Sequence, residues 1–313
     1  MKSPIHFGTS GWRGLIARDF TFEFLRLAAQ GLALTLKAEL RRKRSPIHGK
    51  RPLVVIGHDT RFLGREFALA TAEILQQAGL EPLLTNRDAP TPVIAFSIRH
   101  KKAIGGVNIT ASHNPFGYSG FKFSMPNGAG APPEFTGKIE AHAEKLLAKG
   151  WQPKTAVIGT FSCREFDPAP AYLNRIRKLI DLRAIGKAKL RIAVELMHGT
   201  GRGYLDTLLE EAGAKVTCFH ENLNPLFGGG SPEPNESGMA EAARFVRSGQ
   251  ADLALGLDGD ADRRSEERRG GKECRSRWSP HHYKKKKKKQ YDFPPYTIIQ
   301  LHTHDDHPYT SDF

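Results

Sequence analysis

The sequence predicts an α/β protein built of two consecutive mixed or parallel α/β domains. Three observations carry that prediction. Short apolar runs alternate with longer amphipathic segments as far as Leu257. The alternation pauses once, over Trp151 to Pro170, and then resumes. The length of 313 residues fits about two domains of ordinary size.

Each element has a local reason. Phe22 to Leu36 places apolar residues all round a helix, with Thr21 positioned to cap it and Glu23 in its first turn. Leu53-Val54-Val55-Ile56 reads as a buried strand, because a continuous apolar run suits a strand covered on both faces. Gly64 to Gln77 reads as a helix ended by Gly79, since glycine takes the left-handed backbone of a helix C-terminus without a Cβ clash. Pro90-Thr91-Pro92 marks a turn and a helix start, and Ala103 to Asn108 a strand running into a polar loop. Glu134 to Lys149 is amphipathic, opened by Pro132-Pro133 and stopped by Gly150.

After the linker-like stretch the reading is Tyr172 to Leu182 helix, Leu190 to Leu196 strand and Tyr204 to Ala212 helix. Lys215 to Phe219 strand, Met239 to Arg247 helix and Ala251 to Leu257 strand complete it. The expected domains are residues 1–150 and 151–263. Beyond Arg263 neither apolar period continues. Residues 264–280 resemble the translation of a short-read sequencing adapter, and Lys284 to Lys289 is what a poly-A run encodes. Residues 264–313 are therefore expected to be a non-native, disordered and poorly packed tail, with only Tyr296 to Leu301 strand-like.

Composition excludes whole classes. Apolar residues make up 39% and mean hydropathy is −0.45, so cores can form in a water-soluble chain. No apolar run approaches the ~20 residues of a membrane span, and no signal-peptide stretch follows Met1. A cytoplasmic protein without a membrane partner is expected. Cys163, Cys218 and Cys274 are too few for a disulfide framework or a zinc site. The net charge of +14 divides into +5 over residues 264–313, with 12 Lys+Arg against 7 Asp+Glu, and +9 over the rest. Part of the latter sits at Arg41-Arg42-Lys43-Arg44. That charge suits nucleic acid, an anionic surface or phosphorylated small molecules. No aromatic-interleaved platform supports the first, so no nucleic-acid partner is expected.

Four constellations carry chemistry. Thr110-Ala111-Ser112-His113-Asn114-Pro115 follows a strand, at the end where open α/β sheets place ligands, and sets a serine beside a histidine. Sequence places no acidic third member, so a hydrolase triad is weakly supported, and a plain polar turn remains open. Asp258-Gly259-Asp260-Ala261-Asp262-Arg263 offers three hard oxygen ligands on one loop. It is no EF-hand, because Arg263 and Arg269 stand where Gly and Glu are required. Three carboxylates leave open positions, which suits Mg²⁺ shared with a phosphate. Phe7-Gly8-Thr9-Ser10-Gly11-Trp12-Arg13-Gly14 can bring backbone N–H groups and a guanidinium to a phosphate, or form a glycine-rich hairpin. Gly199-Thr200-Gly201-Arg202-Gly203 approaches a dinucleotide fingerprint, but Tyr204 occupies the last glycine's place, so a tight strand-to-helix turn is preferred.

In this order, together with Gly57-His58-Asp59-Thr60-Arg61, Met197-His198-Gly199, Leu226-Phe227-Gly228-Gly229 and Pro232-Glu233-Pro234-Asn235, these motifs resemble the α-D-phosphohexomutase family of phosphoglucomutases and phosphomannomutases. The resemblance covers residues 1–263 and implies the family's first two domains. It implies that Ser112 carries a transferable phosphate and that Asp258, Asp260 and Asp262 bind Mg²⁺, with the Ser112 phosphate completing the site. Lys122 is implied as the general acid/base, needing a lowered pKa. His113 and Arg13 are implied as catalytic, with Thr9, Ser10 and Arg263 at the substrate's phosphate. The implied partners are a hexose phosphate, of glucose or mannose, and its bisphosphate. Phosphoglucosamine mutase is an alternative with the same chemistry, and a non-catalytic fragment or a basic nucleic-acid-binding protein is the alternative of another class. Family members have four domains, so the resemblance also implies a truncated, inactive chain, lacking the strand that closes the second sheet.

Overall fold

The computed structural model describes residues 5–42, 51–153 and 161–268. The described residues all belong to one compact unit. The Lys43–Arg44 part of the basic stretch, Cys274, the lysine run and Tyr296 to Leu301 lie outside the described residues.

The first domain contains β1 (Trp12–Leu15), α1 (Phe22–Arg42), β2 (Leu53–His58), α2 (Gly64–Gln77), β3 (Glu81–Thr85) and α3 (Thr91–His100). It continues with β4 (Gly106–Ile109), β5 (Tyr118–Ser124), α4 (Pro133–Ala148) and β6 (Arg164–Phe166). Its sheet runs β1-β5-β4-β2-β3-β6. The β4, β2, β3 and β6 strands are mutually parallel, whereas β5 and β1 run antiparallel to their neighbours. On one face α1, α2 and α4 bury Leu25, Leu32, Phe67, Ile74 and Ile139 against Val54 and Ile56. Helices α1 and α4 touch closely at Gly31, where an added Cβ would lie 2.7 Å from the Ile139 carbonyl oxygen. Only the residue without a side chain permits that approach.

The second domain contains α5 (Ala169–Arg177), α6 (Leu182–Lys187), β7 (Arg191–Glu195), α7 (Leu205–Glu211), β8 (Lys215–Phe219), α8 (Ala240–Arg247), β9 (Leu253–Leu257) and β10 (Arg264–Arg268). Its sheet runs β10-β9-β7-β8, parallel except for β10. Helix α8 covers one face through Ala242 and Val246, and α7 covers the other through Leu209. One apolar cluster joins the domains. Val93, Ile94 and Ile98 of α3 pack with Leu173 and Ile176 of α5 and with Tyr204 and Leu208. Full burial of such side chains stabilises by roughly 1.5–3 kcal/mol each. This seam holds the ends of β4 and β9 in one place.

Two sequence expectations need correction. The expected linker carries β6, which extends the first sheet beside β3 at Leu83↔Arg164. The expected loss of a closing strand after Arg263 does not occur, because Arg264–Arg268 pairs along β9 from Arg264↔Leu257 to Arg268↔Leu253. No apolar period marks β10, since it is an edge strand whose two buried glutamates are satisfied by arginines. Glu266 accepts from Arg264 at 2.8 Å and Arg268 at 2.9 Å, and Glu267 from Arg247 at 3.3 Å.

Candidate active site

The site lies where the loop after β4 meets the loop after β9, both at the carboxyl ends of their strands. Ser112 is buried and takes a left-handed backbone, φ 54°. A non-glycine residue there costs about 1–2 kcal/mol, so surrounding contacts must impose it. The Ser112 N–H donates to Thr110 Oγ1 at 2.9 Å, and the Thr110 hydroxyl donates to Asp59 Oδ2 at 2.6 Å. The Ser112 hydroxyl then points across the domain seam and donates to Asp258 Oδ2 at 3.0 Å. His113 Nδ1 lies 3.4 Å from the same hydroxyl.

The three aspartates after β9 converge. Asp258 and Asp260 are buried, Asp262 is exposed, and one oxygen of each lies within 4.8 Å of the others. The backbone N–H groups of Asp262 and Arg263 both donate to Asp258 Oδ1 at 2.9 Å, which curls the loop around that carboxylate. Asp260 Oδ2 accepts from Thr91 Oγ1 and from Lys122 Nζ, each at 2.7 Å. Asn108 Nδ2 donates in turn to Thr91 Oγ1 at 2.8 Å. Lys122 also reaches Asp262 at 3.4 Å.

The charge balance decides what the loop can hold. Burial pushes Asp258 well above the usual carboxylate range, and Asp260 and Asp262 push it further. Burial pushes Asp260 the same way, but the Lys122 ammonium outweighs it and holds Asp260 ionised. One lysine among three carboxylates leaves an uncompensated negative site. Among the described residues Asp260 Oδ1 is buried with no partner. An all-oxygen donor set, a buried lone pair without a donor and a charge deficit fit a hard divalent cation such as Mg²⁺.

Lys122 departs from the expectation of a lowered pKa. Burial lowers it, but the carboxylates of Asp260 and Asp262 more than reverse that, and the net direction is upward. The reason is that Lys122 sits on the metal loop's carboxylates. Its position is set by β5, where Lys122 pairs with Asn108 of β4. Burial, then Arg263 and Arg13, pull His113 below the usual imidazole value.

Around these groups lies a cationic rim. Arg13 of β1 donates to Asn114 Oδ1 at 2.6 Å, and burial is the first cause lowering its pKa. Arg263 is partly exposed and lies 3.5 Å from Glu233. Thr9 and Ser10 form the exposed tip of a tight turn closed by Gly8 and Gly11. The turn is anchored beside the site at Gly11, where an added Cβ would lie 2.9 Å from Lys122 Cγ. The structure thus gathers Ser112, His113, Lys122 and the three aspartates together, and sets Arg13, Thr9, Ser10 and Arg263 around them.

Sequence reasoning did not single out Thr91, Asn108 or Ser231, whose hydroxyl donates to the His113 carbonyl. The signal was weak, since Thr91 opens a helix, Asn108 lies in a strand and Ser231 in a loop, and Thr91 and Ser231 meet their partners only across the two domains. The Gly199–Gly203 stretch buttresses the metal loop. The Thr200 N–H donates to the Gly259 carbonyl at 3.0 Å, and a Cβ on Gly199 would lie 2.8 Å from that same oxygen. Among the described residues no helix is long and apolar enough to cross a membrane.

Comparison with known proteins finds relatives of both domains. Residues 4–149 match the family model of phosphoglucomutase/phosphomannomutase α/β/α domain I, and residues 170–265 match domain II. A phosphoglucomutase/phosphomannomutase of Thermococcus kodakarensis is 34% identical over 82% of this chain and 54% of its own length. A phosphoglucosamine mutase of Methylibium petroleiphilum is 32% identical over 83% of this chain and 54% of its own. A solved Thermus thermophilus structure bearing the name phosphomannomutase superposes with a TM-score of 0.73 at 34% identity, over 85% of this chain and 57% of that one. The chain therefore spans about half the length of the curated relatives it matches.

Proposed function

Because the chain belongs to the phosphoglucomutase/phosphomannomutase family, we propose that it carries out the phosphoryl-transfer part of a phosphohexomutase reaction, with Ser112 as the phosphoryl carrier. The single observation that carries this reading is the Ser112 hydroxyl 3.0 Å from Asp258, within a carboxylate cluster short of positive charge.

Asp258, Asp260 and Asp262 would hold Mg²⁺, which supplies Lewis-acid neutralisation of phosphoryl oxygens when bound. In the forward step the bond from phosphorus to Ser112 Oγ breaks and a bond to a hydroxyl oxygen of the hexose phosphate forms. The proton of that hydroxyl passes to Lys122. In the ion-free site Asp260 and Asp262 hold Lys122 protonated. With those carboxylates held as metal ligands, their pull on Lys122 would weaken, and its amine could then act as base. Arg13 and Arg263, with the Thr9-Ser10 turn, bind phosphate, and His113 orients the group in transfer. The sugar bisphosphate then reorients, and its other phosphate returns to Ser112.

Glucose or mannose phosphate is the proposed substrate class, and a cytoplasmic location goes with it, since phosphorylated hexoses do not cross membranes unaided. A hexosamine phosphate is the second reading, favoured by the similarity to a phosphoglucosamine mutase. Holding a sugar in two orientations draws on binding energy remote from the reacting centre. Residues 1–313 alone are accordingly proposed to turn over hexose phosphates far more slowly than the longer relatives, which a coupled assay would measure.

The test is the intact mass of the chain after incubation with glucose 1,6-bisphosphate and Mg²⁺. One added phosphoryl group, lost in Ser112→Ala, is expected. No uptake by the wild-type chain, or uptake unchanged in Ser112→Ala, would sink the reading.

A further inference from the structure

Arg61 lies outside the roles assigned above, yet its side chain has no solvent exposure and all of its hydrogens are spent. A guanidinium carries five N–H donors in a rigid plane. Here Nε donates to Asp59 Oδ2 at 3.0 Å. Nη1 donates to the carbonyls of Pro115 at 2.8 Å and Tyr118 at 3.0 Å. Nη2 donates to the carbonyls of Ser112 at 2.7 Å and Asn114 at 2.6 Å. No hydrogen remains for a substrate phosphate, which separates Arg61 from Arg13 and Arg263.

The acceptors identify its work. Three carbonyls of the loop and that of Tyr118, where β5 begins, converge on a single cation, supplying hydrogen bonds that an irregular segment lacks. The same Asp59–Arg61 pair holds Ser112 at both ends of its backbone. Arg61 takes its carbonyl, and Asp59 takes its N–H through the Thr110 hydroxyl. Asp59 is itself fixed by the Arg61 backbone N–H at 3.0 Å. With both backbone groups tied and φ held at 54°, the position of the Ser112 Cβ is fixed, and from there Oγ reaches Asp258. The grip is closed from the second domain, where the Phe227 ring lies 5.0 Å from the guanidinium carbon.

We propose that Arg61 is a positioning residue, which with Asp59 and Thr110 imposes the left-handed Ser112 backbone and aims its hydroxyl at the metal loop. This role rests on the reading of Ser112 as phosphoryl carrier. Arg61→Lys keeps the charge but offers three donors from a single point, so the four carbonyls can no longer be satisfied together.

The experiment compares the full 313-residue chain with Arg61→Lys by amide hydrogen exchange and by the rate of Ser112 phosphorylation from glucose 1,6-bisphosphate. Exchange across residues 110–118 should rise about tenfold or more while β2 and β7 stay unchanged, because local opening requires only the clamp to fail. Ser112 phosphorylation should slow about a hundredfold, as misplacement of a reacting group by about 1 Å can do. If Arg61→Lys does not fold, Thr110→Val, which removes only the hydroxyl linking Asp59 to Ser112, carries the same expectation. A folded variant whose exchange is unchanged in the loop, or raised equally in the strands, overturns the proposal, as does phosphorylation at the wild-type rate. A wild-type chain that takes up no phosphate would refute the reading of Ser112 instead, and the exchange pattern would still decide the clamp.

Discussion

The loops after β4 and β9 occupy equivalent places in two similar sheets, and their polar groups are balanced in opposite ways. Around Ser112 every hydrogen of Arg61 has an acceptor, and Asp59 pairs with it at 3.0 Å. Around Asp258 three carboxylates converge, Lys122 contacts those of Asp260 and Asp262, and Asp260 Oδ1 has no partner among the described residues. The first loop is complete as the protein alone. The second is short of one cation. The difference assigns a fixed carrier to one domain and an ion-dependent counterpart to the other.

The comparison can be broken most strongly at the completed loop. Asp59→Ala leaves the buried Arg61 charge uncompensated and should cost about 3–5 kcal/mol in urea unfolding. A loss under about 1 kcal/mol would show that the pair is not the loop's anchor. At the other loop Mg²⁺ should raise the melting temperature, equivalent to about 2.7 kcal/mol at a hundred times its dissociation constant. Asp260→Asn should abolish that response, and a shift surviving it would place the ion elsewhere. A smaller effect of opposite sign tests the charge deficit itself. Asp258→Asn removes a carboxylate that burial and two neighbours oppose, so the ion-free protein should gain about 1 kcal/mol, while its response to Mg²⁺ is lost. Destabilisation in the absence of Mg²⁺ would contradict the deficit.

The smallest expected effect checks that the contrast is confined to the loops. Burial pushes the thiols of Cys163 and Cys218, one in each domain's framework, up to about 11. At pH 8 their thiolate fractions should lie about a hundredfold below that of a thiol of pKa 9, and alkylation should slow accordingly at both. A large difference between the two cysteines would mean that the frameworks also differ in packing.

Much of this arrangement was legible in the residues. Leu53 to Ile56, Gly64 to Gln77 and Lys215 to Phe219 became β2, α2 and β8, because apolar runs and a terminal glycine encode local structure directly. The serine loop and the aspartate loop were visible as polar motifs following strands. Four other strands were not. Trp12–Leu15, Tyr118–Ser124, Arg164–Phe166 and Arg264–Arg268 lack a continuous apolar run, and became β1, β5, β6 and β10 by pairing with their neighbours in the sheets, β5 inside its sheet and the other three at edges. Lys122 shows the same limit, since its direction of pKa shift depends on carboxylates about 140 residues away.

The sequence by itself determined the class of fold, the order of its core elements and the chemical types at the site. Those follow from periodicity and from residue chemistry, which are local. The tertiary structure alone decided that Ser112 faces Asp258, that Lys122 is held by Asp260, and that Arg61 is enclosed by four carbonyls. Those depend on two loops from different domains meeting across the apolar seam of α3, α5 and Tyr204. Burial there removes water, so each charge takes its partner from whatever the other domain presents.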